Sequence, residues 1–261
     1  MPFLKENDIS TYYEVLGSGP PLLFIHGLGS STIGWKYQLN YFSKDYQVIC
    51  YDIRGHGQSD KPASAYSIKQ FSQDCEVLIR SITDKPVHVI GMSLGGFVAF
   101  QLALDHPELV RSMCIVNSIP GFVKGGPKVW IRVRLRILIT RLLGLRTMAR
   151  LLSKQLFIGQ DYEEIRSEFI EEWAKNDKKA YLNTIQAIRS WSVADQLENI
   201  RVPTFMLASE LDYTSVEIKK YFAEKMPDCS LLVIKDARHA LPVEKADVFN
   251  AEVHKFIKSV S

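Results

Sequence analysis

The chain has 261 residues and a formal net charge of +3, with 46% hydrophobic and 23% charged residues. That length suits one well-buried α/β domain with room for an insertion, and the balance is that of a folded protein, not a disordered one. So small a charge argues against nucleic-acid binding, and no run reaches the roughly 18 apolar residues of a membrane span.

Met1 to Asp8 lack the basic-then-apolar order of a secretory signal. Strand-like runs then follow at Leu22–Ile25, Tyr46–Tyr51, Val87–Ile90 and Met113–Val116, each short, apolar and closed by a turn. Such runs suit strands buried on both faces of a parallel sheet. Between them, Phe71, Cys75, Leu78 and Ile82 share one face of a helix over Ile68–Ile82, and Leu94–Leu104 forms another helix that stops near His106-Pro107. Alternation of this kind predicts βαβ units. The pattern breaks at Pro120-Gly121 and is helical to about Asn199. It resumes with strands at Val202–Leu207 and Ser230–Ile234 and a terminal helix over Val248–Val260. The expected organisation is a core of residues 1–119 and 200–261 carrying a helical cap at 120–199, longer than any ordinary loop. Cys50, Cys75, Cys114 and Cys229 lie far apart without C-x-x-C or metal-ligand spacing. They read as buried reduced thiols in a cytoplasmic protein.

Gly91-Met92-Ser93-Leu94-Gly95 sits where a strand turns into a helix. A serine there stands at the carboxyl edge of the sheet above a helix N-terminus, and the flanking glycines leave room for the sharp backbone. Its hydroxyl needs a base, and the base an orienting carboxylate. Of six histidines, His88 lies inside a strand, His106 precedes a proline and His254 is mid-helix, all structural positions. His239 follows the strand ending at Ile234 and is the expected base. Asp212, just past the Val202–Leu207 strand, is the expected acid, with Glu210 competing on position. The expected oxyanion donors are the N–H groups of Leu94 and of Leu28, within His26-Gly27-Leu28-Gly29. Gly27, Met92, Trp130 and Arg134 are expected to line the substrate site. A second loop, Asp52 to Ser59, lacks the lysine of a phosphate-binding loop. His26 and His56 are expected to tie the two loops together.

These motifs, in this order across nearly all of the core, resemble the α/β-hydrolase superfamily, especially its small capped serine esterases. The resemblance implies an α/β-hydrolase fold with a mostly parallel eight-stranded sheet flanked by helices, a helical cap inserted after strand six, and no cofactor or metal. Three positions depart from the family pattern: Ser209 stands where glycine is common, Tyr213-Thr214-Ser215 where a proline is common, and Arg238 where glycine often precedes the histidine. A serine nucleophile is unlike the aspartate of the dehalogenases and epoxide hydrolases of this fold. Ala240 stands where relatives that cleave carbon–carbon bonds often have tryptophan.

The cap is the most individual part. Ten of the 32 Lys and Arg lie between Leu109 and Gln160 without one Asp or Glu, leaving 22 against all 29 acidic residues elsewhere. On a helical wheel Arg132 and Arg136 share a face, with Arg134 and Arg141 roughly opposite and Gly144 a break. These cations are expected to be solvated or paired with the acidic stretch Asp161–Glu172. An acidic acyl substrate and an anionic membrane surface are the two other readings. The expected activity is hydrolysis of a small-molecule carboxylic ester through an acyl-enzyme. Thioesters, lactones and carbon–carbon bonds are alternatives on the same apparatus, and a slow-turnover ligand receptor is an alternative of another class.

Overall fold

The computed structural model describes residues 3–6, 9–121 and 127–260, with only the backbone given for 127–130. Eight strands form one sheet: β1 (Phe3–Glu6), β2 (Ile9–Leu16), β3 (Pro21–Ile25), β4 (Gln47–Tyr51), β5 (Val87–Met92), β6 (Val110–Val116), β7 (Thr204–Ser209) and β8 (Cys229–Ile234). Their spatial order is β1-β2-β4-β3-β5-β6-β7-β8. β2 runs antiparallel to its neighbours β1 and β4, and β4 through β8 are parallel throughout. β1 and β2 are not marked by an apolar run, because β1 has no buried residue and β2 buries only Ile9 and Thr11. β6 begins three residues before the expected run and β7 ends two after it.

The central strands are apolar without alternation because each side chain meets one of two cores. Leu23, Ile25, Val89, Met113 and Ile115 face α2 (Ile68–Ile82) and α3 (Leu94–Asp105), which carry Phe71, Leu78 and Phe100. Leu22, Phe24, Ile90, Cys114 and Val116 face the opposite layer, with Phe42 of α1 (Lys36–Phe42) and Phe249 and Val253 from near the C-terminus. Cys50, Cys75 and Cys114 are buried free thiols, and Cys229 is a partly exposed one. The expected first-half helices are found almost to the residue; α2 is capped by Ser67, whose side chain accepts from the Gln70 N–H.

The segment between β6 and β7 is helical: α4 (Pro127–Leu156), α5 (Glu163–Ala174) and α6 (Lys178–Arg189). Its entry and exit meet, since Gly121 bridges Ser192 and the Val193 N–H donates to Pro120 O at 2.8 Å. Gly144, at φ 79 and ψ 173, breaks α4 as expected. Beyond it Leu145, Met148, Ala149 and Leu152 join Trp173, Tyr181 and Ile185 in a separate apolar cluster. That cluster also takes in Ala240 and the edge of Leu28, so the cap seats its core on the two loops that flank the serine. After β7 come α7 (Val216–Ala223), α8 (Leu241–Glu244) and α9 (Ala246–Ser259).

Candidate active site

The parallel strands end at one edge of the sheet, and their register brings distant residues together. Ile25 pairs with Gly91, Met92 with Val116, Val116 with Leu207, and Ser209 with Ile234. Ser93 follows Met92 with φ 52 and ψ −110, a conformation costly for a residue with a side chain. It persists because its neighbours over-determine it: the Ser93 N–H donates to Val116 O at 2.9 Å and Ser118 Oγ donates to Ser93 O at 2.7 Å. The turn also requires Gly95, where a Cβ would lie 2.0 Å from Ile25 O. Leu94 is the first residue of α3, so its N–H has no intrahelical acceptor. Gly27 lies against the serine, since a Cβ there would sit 3.6 Å from Ser93 Cβ and from Met92 O. Leu28 is the next residue along that loop.

Asp212 and His239 come together from the loops after β7 and β8. His239 Nδ1 lies 2.5 Å from Asp212 Oδ1, and the Leu211 N–H donates to Ala237 O at 2.9 Å to join the two loops. A carboxylate only accepts, so Nδ1 carries a proton, and in the neutral imidazole the lone pair is then on Nε2. Glu210 points elsewhere, accepting from the Asp236 N–H at 3.0 Å on the surface. Asp212 is fully buried, and burial alone would raise its carboxyl; His239 and then Lys219 outweigh this and hold it well below the usual carboxylate range.

The sequence did not point to Lys219. It is 1% exposed, and its Nζ donates to Asp212 Oδ2 at 2.5 Å and to Asn117 Oδ1 at 3.2 Å. Burial lowers the Lys219 pKa against the opposing pull of Asp212. The available signal was a lysine on the same face of α7 as the buried Phe222 and Ala223. Asn117 was also missed. In a left-handed conformation (φ 46) after β6, it donates from Nδ2 to Ser209 Oγ at 2.8 Å and to His239 O at 3.0 Å, and accepts from the Ser209 N–H at 2.8 Å.

Each departure from the family pattern has a local partner. Ser209 meets Asn117, Tyr213 stacks on the His239 ring with centroids 4.3 Å apart, and the Arg238 N–H donates to Glu244 Oε2 at 2.5 Å. The two glycine loops are tied by Asp52, which accepts from the Thr32 and Gln58 N–H groups at 2.7 Å each. His26 accepts at Nε2 from the Ile53 N–H at 3.0 Å while its Nδ1 meets Gly27 O at 2.8 Å. Burial lowers the pKa of His26 to about 4 and that of His56 to about 3, so both stand as neutral scaffolding. His88, likewise lowered to about 4 by burial, bonds Ser112 inside the sheet.

The cap arginines differ in exposure. Arg134, expected to line the substrate site, is exposed about 120° around α4 from the buried Thr140, and Arg132 is exposed where Arg136 is not. Arg136 is half-buried: its Nε donates to Tyr181 Oη at 2.6 Å and its guanidinium lies 5.3 Å from the Trp173 ring centre. Among the described residues, pairing of the basic block with the acidic stretch is confined to Arg146, which meets Glu171; the nearby Glu168 and Glu172 bind Lys36 and Lys175. The side chain of Trp130 lies outside the described residues. A cavity of about 380 Å³ lies between Gly29–Gly34, Gln58 and the α5 residues Phe169 and Trp173, and its lining includes none of Ser93, Asp212 and His239. No cluster of metal-ligating side chains occurs among the described residues.

Known proteins agree with this architecture. The chain is 28% identical to 3-oxoadipate enol-lactonase 2 of Acinetobacter baylyi, over 98% of its own length and 96% of that protein's. It is 27% identical to (E)-2-((N-methylformamido)methylene)succinate hydrolase of the same organism, over 98% and 97%. The crystal structure of the enol-lactonase from Burkholderia xenovorans superposes with a TM-score of 0.90 at 23% identity, covering 98% of this chain and all of that one. The sequence profile of the alpha/beta hydrolase fold matches residues 20–158, more than half of the chain. With the eight-stranded sheet, the serine turn and the cap after β6 in place, the chain belongs to the α/β-hydrolase family and is a hydrolase.

Proposed function

We propose that the protein hydrolyses a carboxylic ester through an acyl-enzyme, with Ser93 as nucleophile, His239 as general base and Asp212 as the residue that orients the imidazole. The observation that carries this reading is the 2.5 Å His239 Nδ1–Asp212 Oδ1 contact at the sheet edge that also holds Ser93 in its strained turn. His239 Nε2 takes the Ser93 proton as Oγ attacks the acyl carbon. The Leu28 and Leu94 N–H groups hold the tetrahedral oxyanion, and the same imidazole then protonates the departing alcohol. Water deprotonated by His239 attacks the acyl-enzyme, releasing the acid and restoring Ser93. These steps use side chains and backbone amides alone. Gly27 and Met92 would flank the acyl group. The free thiols support a cytoplasmic setting.

A lactone is the second reading, favoured by full-length similarity to an enol-lactonase. A relative of nearly equal identity is named for a formamido-methylene succinate, so identity does not choose between ring and chain. Steady-state turnover of a p-nitrophenyl ester, absent in Ser93→Ala, supports the hydrolytic reading; a single burst without turnover supports a ligand receptor. A parallel panel of open esters, thioesters and lactones decides the bond, and preference for lactones would replace the ester reading.

A further inference from the structure

The two halves of α4 use their apolar residues differently. After Gly144, Leu145, Met148 and Leu152 are buried in the cap cluster. Before it, Ile131, Leu135, Leu138 and Leu142 are 55%, 50%, 51% and 73% exposed. Their spacing is i, i+4, i+7 and i+11, so at 100° per residue they fall within an arc of about 60° and run for about 16 Å. Val133, Ile137 and the buried Thr140 occupy the other side, turned toward the cap. The outward stripe is thus contiguous and directly opposite the helix's packing face. Singly exposed leucines are ordinary on a protein surface, but four in line on one helix are not.

The charges beside the stripe indicate what covers it. Arg134 and Arg141 lie roughly 70–90° to one side of its centre and Arg132 about 90° to the other. All three are exposed, and none makes an ion pair with a described residue. No acidic residue occurs between Leu109 and Gln160 to neutralise them. A central apolar strip flanked by cations on both sides matches a helix lying in the boundary of an anionic bilayer, its arginines rising to the headgroup phosphates. A second copy matches it poorly, because a two-fold contact would place this patch on itself and bring the arginine rows of both copies together. Among the described residues no helix is long and apolar enough to cross a membrane, so the contact is peripheral.

We infer that the outer face of α4 from Ile131 to Leu142 docks on an anionic lipid surface, its four apolar side chains entering the acyl boundary and Arg132, Arg134 and Arg141 meeting lipid phosphates. The inference rests on the cap's surface alone and stands whether or not the hydrolytic reading does.

The test is co-sedimentation of the full chain with phosphatidylcholine vesicles and with mixed phosphatidylcholine–phosphatidylglycerol vesicles. Three arginines at the surface predict partitioning on the order of a hundredfold stronger onto the mixed vesicles, falling as salt is raised. Leu138→Glu/Leu142→Glu should abolish binding, with a melting temperature within about 2 °C of wild type, since both positions are exposed. The triple variant Arg132→Gln/Arg134→Gln/Arg141→Gln should keep the fold and lose the preference for anionic lipid, which tests the idea even if the leucine variant misfolds. Equal binding to both vesicle types, or none, overturns it. So does a wild-type dimer in light scattering that becomes monomeric in the leucine variant without any vesicle binding, because the stripe would then cover a second copy.

Discussion

The carboxyl edge of the sheet and the cap above it solve different problems. At the edge, single backbone and side-chain contacts decide the geometry: Ser93 is held by Val116 O and Ser118 Oγ, and His239 by Asp212 and Asn117. In the cap, one face of each helix packs into a shared apolar cluster, while the outward positions can vary without disturbing it. An edge substitution should therefore change chemistry by orders of magnitude, and an outward cap substitution should leave it intact.

The largest expected effect lies at the acid. Asp212→Asn should lower kcat by about three to four orders of magnitude, because the amide no longer holds His239 with Nε2 free, while Glu210→Gln should change it less than about twofold. Steady-state kinetics on a p-nitrophenyl ester decide this, and a reversed pattern would break the account of the edge. The same variant has a pH signature. Asp212 is held below its usual value of 3.8, so its contribution is present above that pH and lost as pH falls through the folded value. The melting temperature of Asp212→Asn should consequently fall less steeply than that of wild type below about pH 4.

Next comes the buried cation. Lys219→Met leaves Asp212 with His239 and Thr214 as partners, and breaking such a pair costs about 3–5 kcal/mol. A drop in melting temperature of roughly 5–10 °C is expected. No drop would mean that the apolar replacement offsets the lost pair, and Lys219 would then be dispensable for the fold.

The smallest effect sharpens the comparison within the cap itself. Arg136 is the inward cation, held by the Tyr181 hydroxyl and two rings with no carboxylate partner among the described residues. Arg136→Gln should lower kcat/KM on a hemisuccinyl ester about tenfold more than on the matched acetyl ester, because a poorly solvated anion loses its partner. Arg134→Gln/Arg141→Gln should leave that ratio unchanged. Equal losses on both esters with Arg136→Gln would point to damaged cap packing instead of charge recognition.

The same contrast explains what could be read from the residues alone. The elbow at Ser93, both glycine loops and the positions of Asp212 and His239 are legible because strained turns and strand ends admit few residue types at fixed spacing. Lys219 and Asn117 are not, since their partners lie seven and more than ninety residues away and neither belongs to a local pattern. β1 and β2 escape notice because an exposed edge needs no apolar run. In the cap, the wheel correctly separates Arg134 and Arg141 from Arg136, but which side faces inward depends on tertiary packing. That packing turns Arg136 to Tyr181 and leaves Arg132 outside, 40° of rotation from its supposed companion.

The central claim is that one serine carries the acyl group, and fluorophosphonate labelling read by intact mass and peptide mapping tests it most directly. The account predicts one adduct per chain, on Ser93, with none formed in Ser93→Ala and slow formation in Asp212→Asn. An adduct mapped to another residue, or labelling that persists in Ser93→Ala, would contradict it.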